Sequence, residues 1–410
     1  MIRNGRPFST FTPSPYMQNL FRLFLFAALV FTPGFAQVRK LGEVPILVDV
    51  NTVPVRVTAS SPELQTLAQL AFNAHGRYKL VASGHAFDIR FTAVAANQVR
   101  VDVTRGAAAT PVASQVVAGM TPRQALLRAA DVAVTQTNGL GLRGLFTGRL
   151  AFVSKRAGKG DVYTSDLFLG EAKRVTHDNA HVLSPRWAPD GSKLILTSYF
   201  RSGAPDIFLL DPNSGRKDVF VSFRGTNSGA RFSPNGQQVA MICTGEGTPE
   251  VYISNAQGRN VARKTRSAQV KSSPAWSPDG TRLVFAMEPG PQLYVMPASG
   301  GTPQRLMSGF SYTAEPDWSR ANPNKIACTV QVSGRYQIAV YDFTTGRATV
   351  VSNAGFDGVE PSWLADGRHL VYTARDRNTS VLCILDTETK KSTRISPADA
   401  AAMQASVWTP

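Results

Sequence analysis

Trp187, Trp276, Trp318, Trp363 and Trp408 are all the tryptophans of this chain, and with Phe232 they recur at spacings of 45, 44, 42, 45 and 45 residues. A period of that length holds four short strands and their turns, which is the content of one propeller blade. The segments around the aromatic positions read Pro185-Arg-Trp-Ala-Pro-Asp-Gly191, Ala230-Arg-Phe-Ser-Pro-Asn-Gly236, Pro274-Ala-Trp-Ser-Pro-Asp-Gly280, Pro316-Asp-Trp-Ser-Arg320 and Pro361-Ser-Trp-Leu-Ala-Asp-Gly367. In Ser277-Pro278-Asp279-Gly280, proline presets φ, aspartate bonds nearby backbone and glycine accepts the exit conformation, so the chain reverses. A short apolar run follows each turn, as at 194–197, 283–286 and 370–373, and a second follows that, as at 250–255 and 337–342. Runs of this kind are expected to be buried between stacked sheets.

A sixth run at 150–154 has no turn motif before it, while Trp408-Thr-Pro410 is a turn motif with no strand after it. Put together, the two halves complete a sixth blade shared by both ends of the domain, a closure that removes an unpaired sheet edge. The expected fold is mainly β: a six-bladed β-propeller over 148–410, preceded by a small α/β domain over 37–147.

The first 36 residues carry Arg3, Arg6 and Arg22 but no acid, then the apolar run 23–31, then Gly34-Phe35-Ala36. This pattern is expected of a cleaved signal peptide, with Met17 giving a shorter leader than Met1. No later run is apolar for long enough to span a bilayer as a helix. The formal charge is +16, or +13 without those three arginines, and it is spread along the chain rather than gathered in a block. Such a bias reads either as an ordinary soluble surface or as attraction to anionic cell-envelope partners or lipid head groups, and without a recognition motif it does not point to nucleic acid. Cys243, Cys328 and Cys383 are odd in number, which gives no disulfide framework, and read as buried free thiols, with a single pairing open only if two face each other within bonding geometry.

Within 37–147, Ser61-Pro62-Glu63 opens a helix that stops at Gly76, and the capping box Thr121-Pro122-Arg123-Gln124 opens another that ends at Asn138-Gly139. Between them, 87–92 and 98–104 alternate apolar with polar residues, as half-buried antiparallel strands do, with a turn near 95–97.

Little here suggests catalysis. Gly139-Leu-Gly-Leu-Arg-Gly144 matches a dinucleotide pattern by letter, but it follows a helix and precedes a strand, the reverse of what phosphate binding needs. His177 and His181 share a loop rather than a helical face, so no metal is expected there. His75, His85 and His369 are scattered, and no serine nucleophile elbow is present. Asp190, Asp279 and Asp366 repeat with the turns they serve. No cofactor, metal or catalytic residue is expected.

The order of leader, small α/β domain and propeller, the junction Asn138-Gly-Leu-Gly-Leu-Arg-Gly-Leu-Phe-Thr-Gly-Arg-Leu-Ala-Phe-Val153 and the segment Ser184-Pro-Arg-Trp-Ala-Pro-Asp-Gly-Ser-Lys-Leu194 resemble the TolB family of the Tol-Pal system. The resemblance implies a periplasmic, monomeric, non-enzymatic adaptor in envelope integrity, division and macromolecule import. It would join a peptidoglycan-associated lipoprotein, held by the propeller, to inner-membrane Tol proteins, held by the N-terminal end. Thr226, Asn227, Ser228, Ser272, Ser273, Glu315 and Glu360, ahead of the x-P-x-W turns, are the expected lipoprotein contacts. Gln37, Val38, Arg39 and Lys40 form the expected N-terminal partner segment. Thr226 and Ser273 stand where that family carries a histidine and a glutamate. A second reading is an exported propeller that binds a small ligand or a cation in its axial channel.

Overall fold

In the computed structural model, residues 52–410 are described, apart from 109 and 354. The expected leader and the expected partner segment Gln37, Val38, Arg39 and Lys40 lie outside them.

The N-terminal region runs β1 (Val53–Ala59), α1 (Pro62–Ala74), β2 (Tyr78–Leu80), β3 (Phe87–Ala95), β4 (Gln98–Arg105), β5 (Ala113–Ala118) and α2 (Pro122–Thr137). Both helices start as the sequence predicts. Ser61 Oγ accepts from the Leu64 amide at 3.3 Å and Thr121 Oγ1 from the Gln124 amide at 3.1 Å, each just ahead of a proline. The β3–β4 hairpin also forms, turning after Ala95 and burying Val99, Val101 and Val103. The pattern did not signal β1, which runs parallel to both β2 and β3, or the edge strand β5; the sheet order is β2-β1-β3-β4-β5.

Six four-stranded antiparallel sheets follow. Blades 1 to 5 span 182–221, 227–263, 271–305, 313–350 and 357–394, each beginning with its inner strand. The closing blade takes its inner strand, Ala402–Trp408, from the C-terminal end and its other three, Arg149–Ser154, Asp161–Asp166 and Lys173–Arg174, from the start of the domain. The ring is therefore closed by backbone hydrogen bonds between its two ends.

One aromatic departs from the repeat. In blade 5, Trp363 pairs with Leu370, but in the closing blade Val407 takes the equivalent place opposite Leu150 and Trp408 lies one step on, opposite Arg149. The bulge is common to both strands, but three positions separate Glu360 from Trp363 and four separate Gln404 from Trp408. Trp276 and Trp363 donate from Nε1 to the preceding blade, at Arg231 and Asp317, whereas Trp408 donates forward to Pro189 O at 2.9 Å. Its indole covers Gly191, where φ is +70° and a Cβ would stand 2.3 Å from a ring carbon. The Arg149 guanidinium lies 4.9 Å from the Trp187 ring and 5.9 Å from the Trp408 ring, so a cation–aromatic cluster seals the seam.

The N-terminal domain is built onto one rim of the ring, where the PDG-type turns lie. An apolar core runs through both: Phe72, Phe146 and Phe168 form a chain of ring contacts at 5.7 and 6.0 Å. The link from α2 to the closing blade is held by Asp131, which accepts from the Phe146 and Thr147 amides at 2.7 and 3.0 Å, and by buried Asn138, which accepts from the Leu140 and Leu142 amides. The dinucleotide-like glycine pattern is thus a helix stop and linker.

A polar cluster sits inside this junction. His369, at the start of the second strand of blade 5, is fully buried; its Nδ1 meets Asp366 Oδ2 at 2.5 Å and its Nε2 meets the carbonyl of His75, the C-cap of α1, at 2.5 Å. A carboxylate and a carbonyl are both acceptors, so the two ring nitrogens must both donate and His369 is an imidazolium. It also places a cation at a helix C-terminus, where the free carbonyls and the dipole favour one. Beside it, Arg368 makes a bidentate pair with Asp386 and reaches Glu388, and a Cβ at Gly76 would stand 2.5 Å from Asp386 Oδ2. Lys391 donates to Asn73 at 2.7 Å.

The two histidines respond to pH in opposite senses. Burial pushes the His75 pKa down to about 3, helped by the charge on His369. For His369, burial opposes the charge, yet the Asp366 and Asp386 carboxylates and the bond to His75 raise its pKa above the ordinary value. Asp366 is held at about 2, its burial outweighed by His369. Stability from His369 is complete below about pH 6.5 and is lost as pH rises through its raised pKa. Stability linked to neutral His75 falls as pH drops below about 6.5, reaching a loss of about 2 kcal/mol near pH 5. Asp366 adds a further loss only below about pH 4.

Two outcomes are expected. The thermal midpoint, measured from pH 5 to 9, should peak near pH 6.5, with His369→Gln flattening the alkaline limb and His75→Asn the acid limb. A chain truncated after residue 401 should lose its cooperative melt and aggregate, as read by calorimetry and light scattering, because Arg149–Ser154 becomes an open edge.

Candidate partner-binding rim

The opposite rim gathers the loops that lead into the inner strands and those between second and third strands. The expected contacts fall along its inner side, and the structure separates them into different kinds of position. Ser272 is exposed, and Thr226, Ser228, Ser273, Glu315 and Glu360 are half-buried, but Asn227 is fully buried. Asn227 cannot touch a partner. Its Nδ2 donates to Phe223 O at 2.7 Å and to Asp206 Oδ1 at 3.3 Å, so it fixes the loop in front of it. Thr226 joins the same task, its amide donating to Thr244 Oγ1 at 2.7 Å.

Glu315 and Glu360 belong to a device that repeats around the axis. In every inner strand a bulge residue adopts positive φ: Ser184 at 50°, Gly229 at 64°, Ser273 at 52°, Glu315 at 54°, Glu360 at 58° and Gln404 at 57°. The bulge turns the amides of Ser184, Gly229, Glu360 and Gln404 toward the neighbouring blade. Glu315 Oε2 accepts from the Glu360 amide at 2.9 Å, Glu360 Oε2 from the Gln404 amide at 3.1 Å, and Gln404 Oε1 from the Ser184 amide at 2.9 Å. Thr329 and Thr373 donate to the same two carboxylates. Three successive blade interfaces, including the closing one, are clasped in this way.

Charge in the channel is balanced within the wall. Arg231 pairs with Asp317 at 2.5 Å, and Arg186 donates to Ala405 O at 3.1 Å. Burial, together with the charge of Arg231, pushes the Arg186 pKa down to about 9, and burial with the charge of Glu360 raises that of Glu315. A bound cation would compete with hydrogen bonds these carboxylates already accept.

Elsewhere, His75, Asp366 and His369 bring one ligand-type atom each within 4.8 Å of one another at the domain junction. Both nitrogens of His369 are already donating there, so a proton occupies the place a metal would need. His177 and His181 lie in a loop, as expected, and His181 meets the Tyr199 ring edge-on at 6.1 Å. The three cysteines are free and buried, and burial pushes each thiol up to about 12. They are inert packing residues, since a thiolate is the reactive form.

A second repeated position escaped the sequence reading. Thr176, Thr265, Ser352 and Ser396 each accept from the amide of a third strand, at Val162, Val251, Ile338 and Leu382, at 2.8 to 2.9 Å. They tie the loops of this rim to the blades. With Ser222 and Ser308 they recur at 46, 43, 43, 44 and 44 residues, a signal present in the sequence.

The clasp has a measurable consequence. Glu360→Ala removes the carboxylate that the Gln404 backbone amide, the Gln404 side-chain amide and the Thr373 hydroxyl all donate to, leaving the Gln404 backbone amide with Thr373 Oγ1 alone, and should lower stability by about 1–3 kcal/mol. Glu360→Gln keeps a carbonyl oxygen and should recover most of that loss in the same denaturant titration.

Known proteins share this architecture. The model of the TolB beta propeller domain matches residues 139–410. The Tol-Pal system protein TolB of Bordetella parapertussis is 28% identical over 245 residues, covering 59% of this chain and 55% of the relative. That of Bordetella pertussis is 29% identical over 164 residues, 39% of this chain and 37% of the relative. The chain thus spans about half, or less, of the length of these curated relatives. The crystal structure of TolB from Acinetobacter baumannii superposes with a TM-score of 0.77 at 22% identity, covering 90% of this chain and 98% of that one, which speaks for a shared fold. The family match takes in all six blades and the linker into them: the chain belongs to the TolB beta-propeller family.

Proposed function

We propose that this protein is a non-enzymatic periplasmic adaptor of a Tol-Pal-type system. Residues 148–410 bind a peptidoglycan-associated lipoprotein on the rim opposite the N-terminal domain, and residues 37–147 engage inner-membrane Tol proteins, beginning with Gln37, Val38, Arg39 and Lys40. The observation that carries this reading is the arrangement of a family-matched ring with its N-terminal domain built onto one rim and a row of loops, held by buried hydrogen bonds, on the other. Rigid loops on a rigid ring suit contact rather than chemistry. Among the expected contacts, Ser272 and the half-buried Thr226, Ser228 and Ser273 are the ones placed to meet the lipoprotein. Export by a cleaved leader at 1–36 puts the mature chain in that compartment. The channel-ligand alternative is weaker, because Glu315, Glu360 and Asp317 are committed to inter-blade bonds.

The test is a pull-down from solubilised envelope with the mature chain, 37–410, beside a form lacking only 37–40. Both should recover a peptidoglycan-associated lipoprotein, and the shortened form should lose inner-membrane Tol proteins. Recovery of no envelope protein by either form would reject the adaptor.

A further inference from the structure

Two exposed aromatic side chains stand on the far rim over blade 1, each followed by an arginine: Phe200-Arg201, between the second and third strands, and Phe223-Arg224, in the loop into blade 2. Phe200 is 52% exposed and Phe223 45%, a large fraction for a phenylalanine. The two dipeptides are 23 positions apart in sequence, yet Arg201 Nη1 donates to Ser222 Oγ at 3.0 Å, which joins their loops.

Neither aromatic sits on a loose loop. Lys217 Nζ lies 4.0 Å from the Phe200 ring centroid and steadies one face of it. Phe223 is held through its own carbonyl by buried Asn227, Gly225 turns with φ at 93°, and the Thr226 amide is bonded to Thr244. The Asn227 amide donates in turn to Pro205 O at 2.9 Å, closing the two loops on each other. The cost of ordering these loops on binding is therefore largely met in the free protein.

Arg201 and Arg224 are exposed and make no ion pair among the described residues, and the same holds for Arg266 on the next inter-blade loop of this rim. Aromatic side chains beside unpaired guanidinium groups are the composition of interface hot spots, and planar guanidinium groups prefer carboxylates.

We infer that the Phe200-Arg201 and Phe223-Arg224 loops form the principal docking surface of the far rim, and that the partner surface seated on it is apolar at its centre and carboxylate-rich around it. The inference rests on the adaptor reading and deepens it, by moving the main contact from the inner-strand serines to blade 1 and stating the chemistry of the lipoprotein face. Asn227 acts here as a positioning residue.

Isothermal titration of the mature chain with the soluble domain of the peptidoglycan-associated lipoprotein from the same organism tests it. Phe200→Ala with Phe223→Ala, and separately Arg201→Glu with Arg224→Glu, should each weaken binding by about tenfold or more. The charge reversal should also flatten the dependence of affinity on salt. Arg259→Glu, on the opposite rim, should change neither. The reversals lie on exposed groups and should leave the thermal midpoint in place, so a lost interaction cannot be a lost fold. Wild-type binding that both double variants retain overturns this docking surface and leaves the adaptor standing; a wild-type chain that binds no lipoprotein overturns both.

Discussion

The backbone ladder between Ala402–Trp408 and Arg149–Ser154 is the contact on which the rest of this molecule depends. Neighbouring blades bury apolar layers between them, but the ring is complete only when its first and last blades meet, and here they meet inside one sheet. The ladder brings with it the out-of-phase Trp408, the Arg149 cation between two indoles and the Gln404 bonds to Glu360 and Ser184. The seam therefore carries more distinct interactions than an ordinary blade interface. The departure of Trp408 from the repeat follows from this: it serves the closure and not the blade.

Much of the architecture was legible in the sequence because propeller blades are written in turn chemistry. Proline, aspartate or asparagine, and glycine in a fixed order favour a reversal, complete at 189–191, 234–236 and 278–280 and partial at 365–367, and the repeat itself supplied the turn after Trp318. The N-terminal helices were legible for the same local reason, a serine or threonine cap followed by proline. What escaped depends on partners distant in sequence. The parallel strand β1 has no turn of its own to announce it, and β5 is an exposed edge whose side chains carry no alternation. Asn227 looked like a surface residue because polar residues in loops usually are. Its burial follows from an acceptor on Asp206 and a carbonyl on Phe223, which no single-residue reading could supply. Phe223 escaped because the residues in phase with it, His177, Arg266, Gly309, Asn353 and Pro397, include no other phenylalanine, so the repeat did not single it out.

The two rims use polar chemistry differently. At the junction, charges are buried, paired and close to saturated: His369 with Asp366, Arg368 with Asp386. Breaking one partner there would strand the other in a dry core, so the cluster fixes one relative placement of the domain and the ring. On the far rim the polar groups that hold the loops are buried, while Arg201, Arg224 and Arg266 are left in water and free of carboxylates, unlike Arg156, which pairs with Asp399. A surface of that kind loses little when a partner arrives, because its loops are already set and these three cations have no ion pair to break.

The closing ladder also orders events in time. Ser154 and its partners near Ala400 are 246 positions apart along the chain, so the first strand of the ring stays unpaired on one side until nearly the whole polypeptide is present. Loop closure over such a separation is slow relative to hairpin formation. Blades 1 to 5 can each form from local sequence as they emerge, and ring closure comes last. A chain interrupted anywhere before its final strand would remain an open arc with a sticky edge, visible to proteases and chaperones, whereas a finished chain hides that edge at once. The fold thereby reports on its own completion.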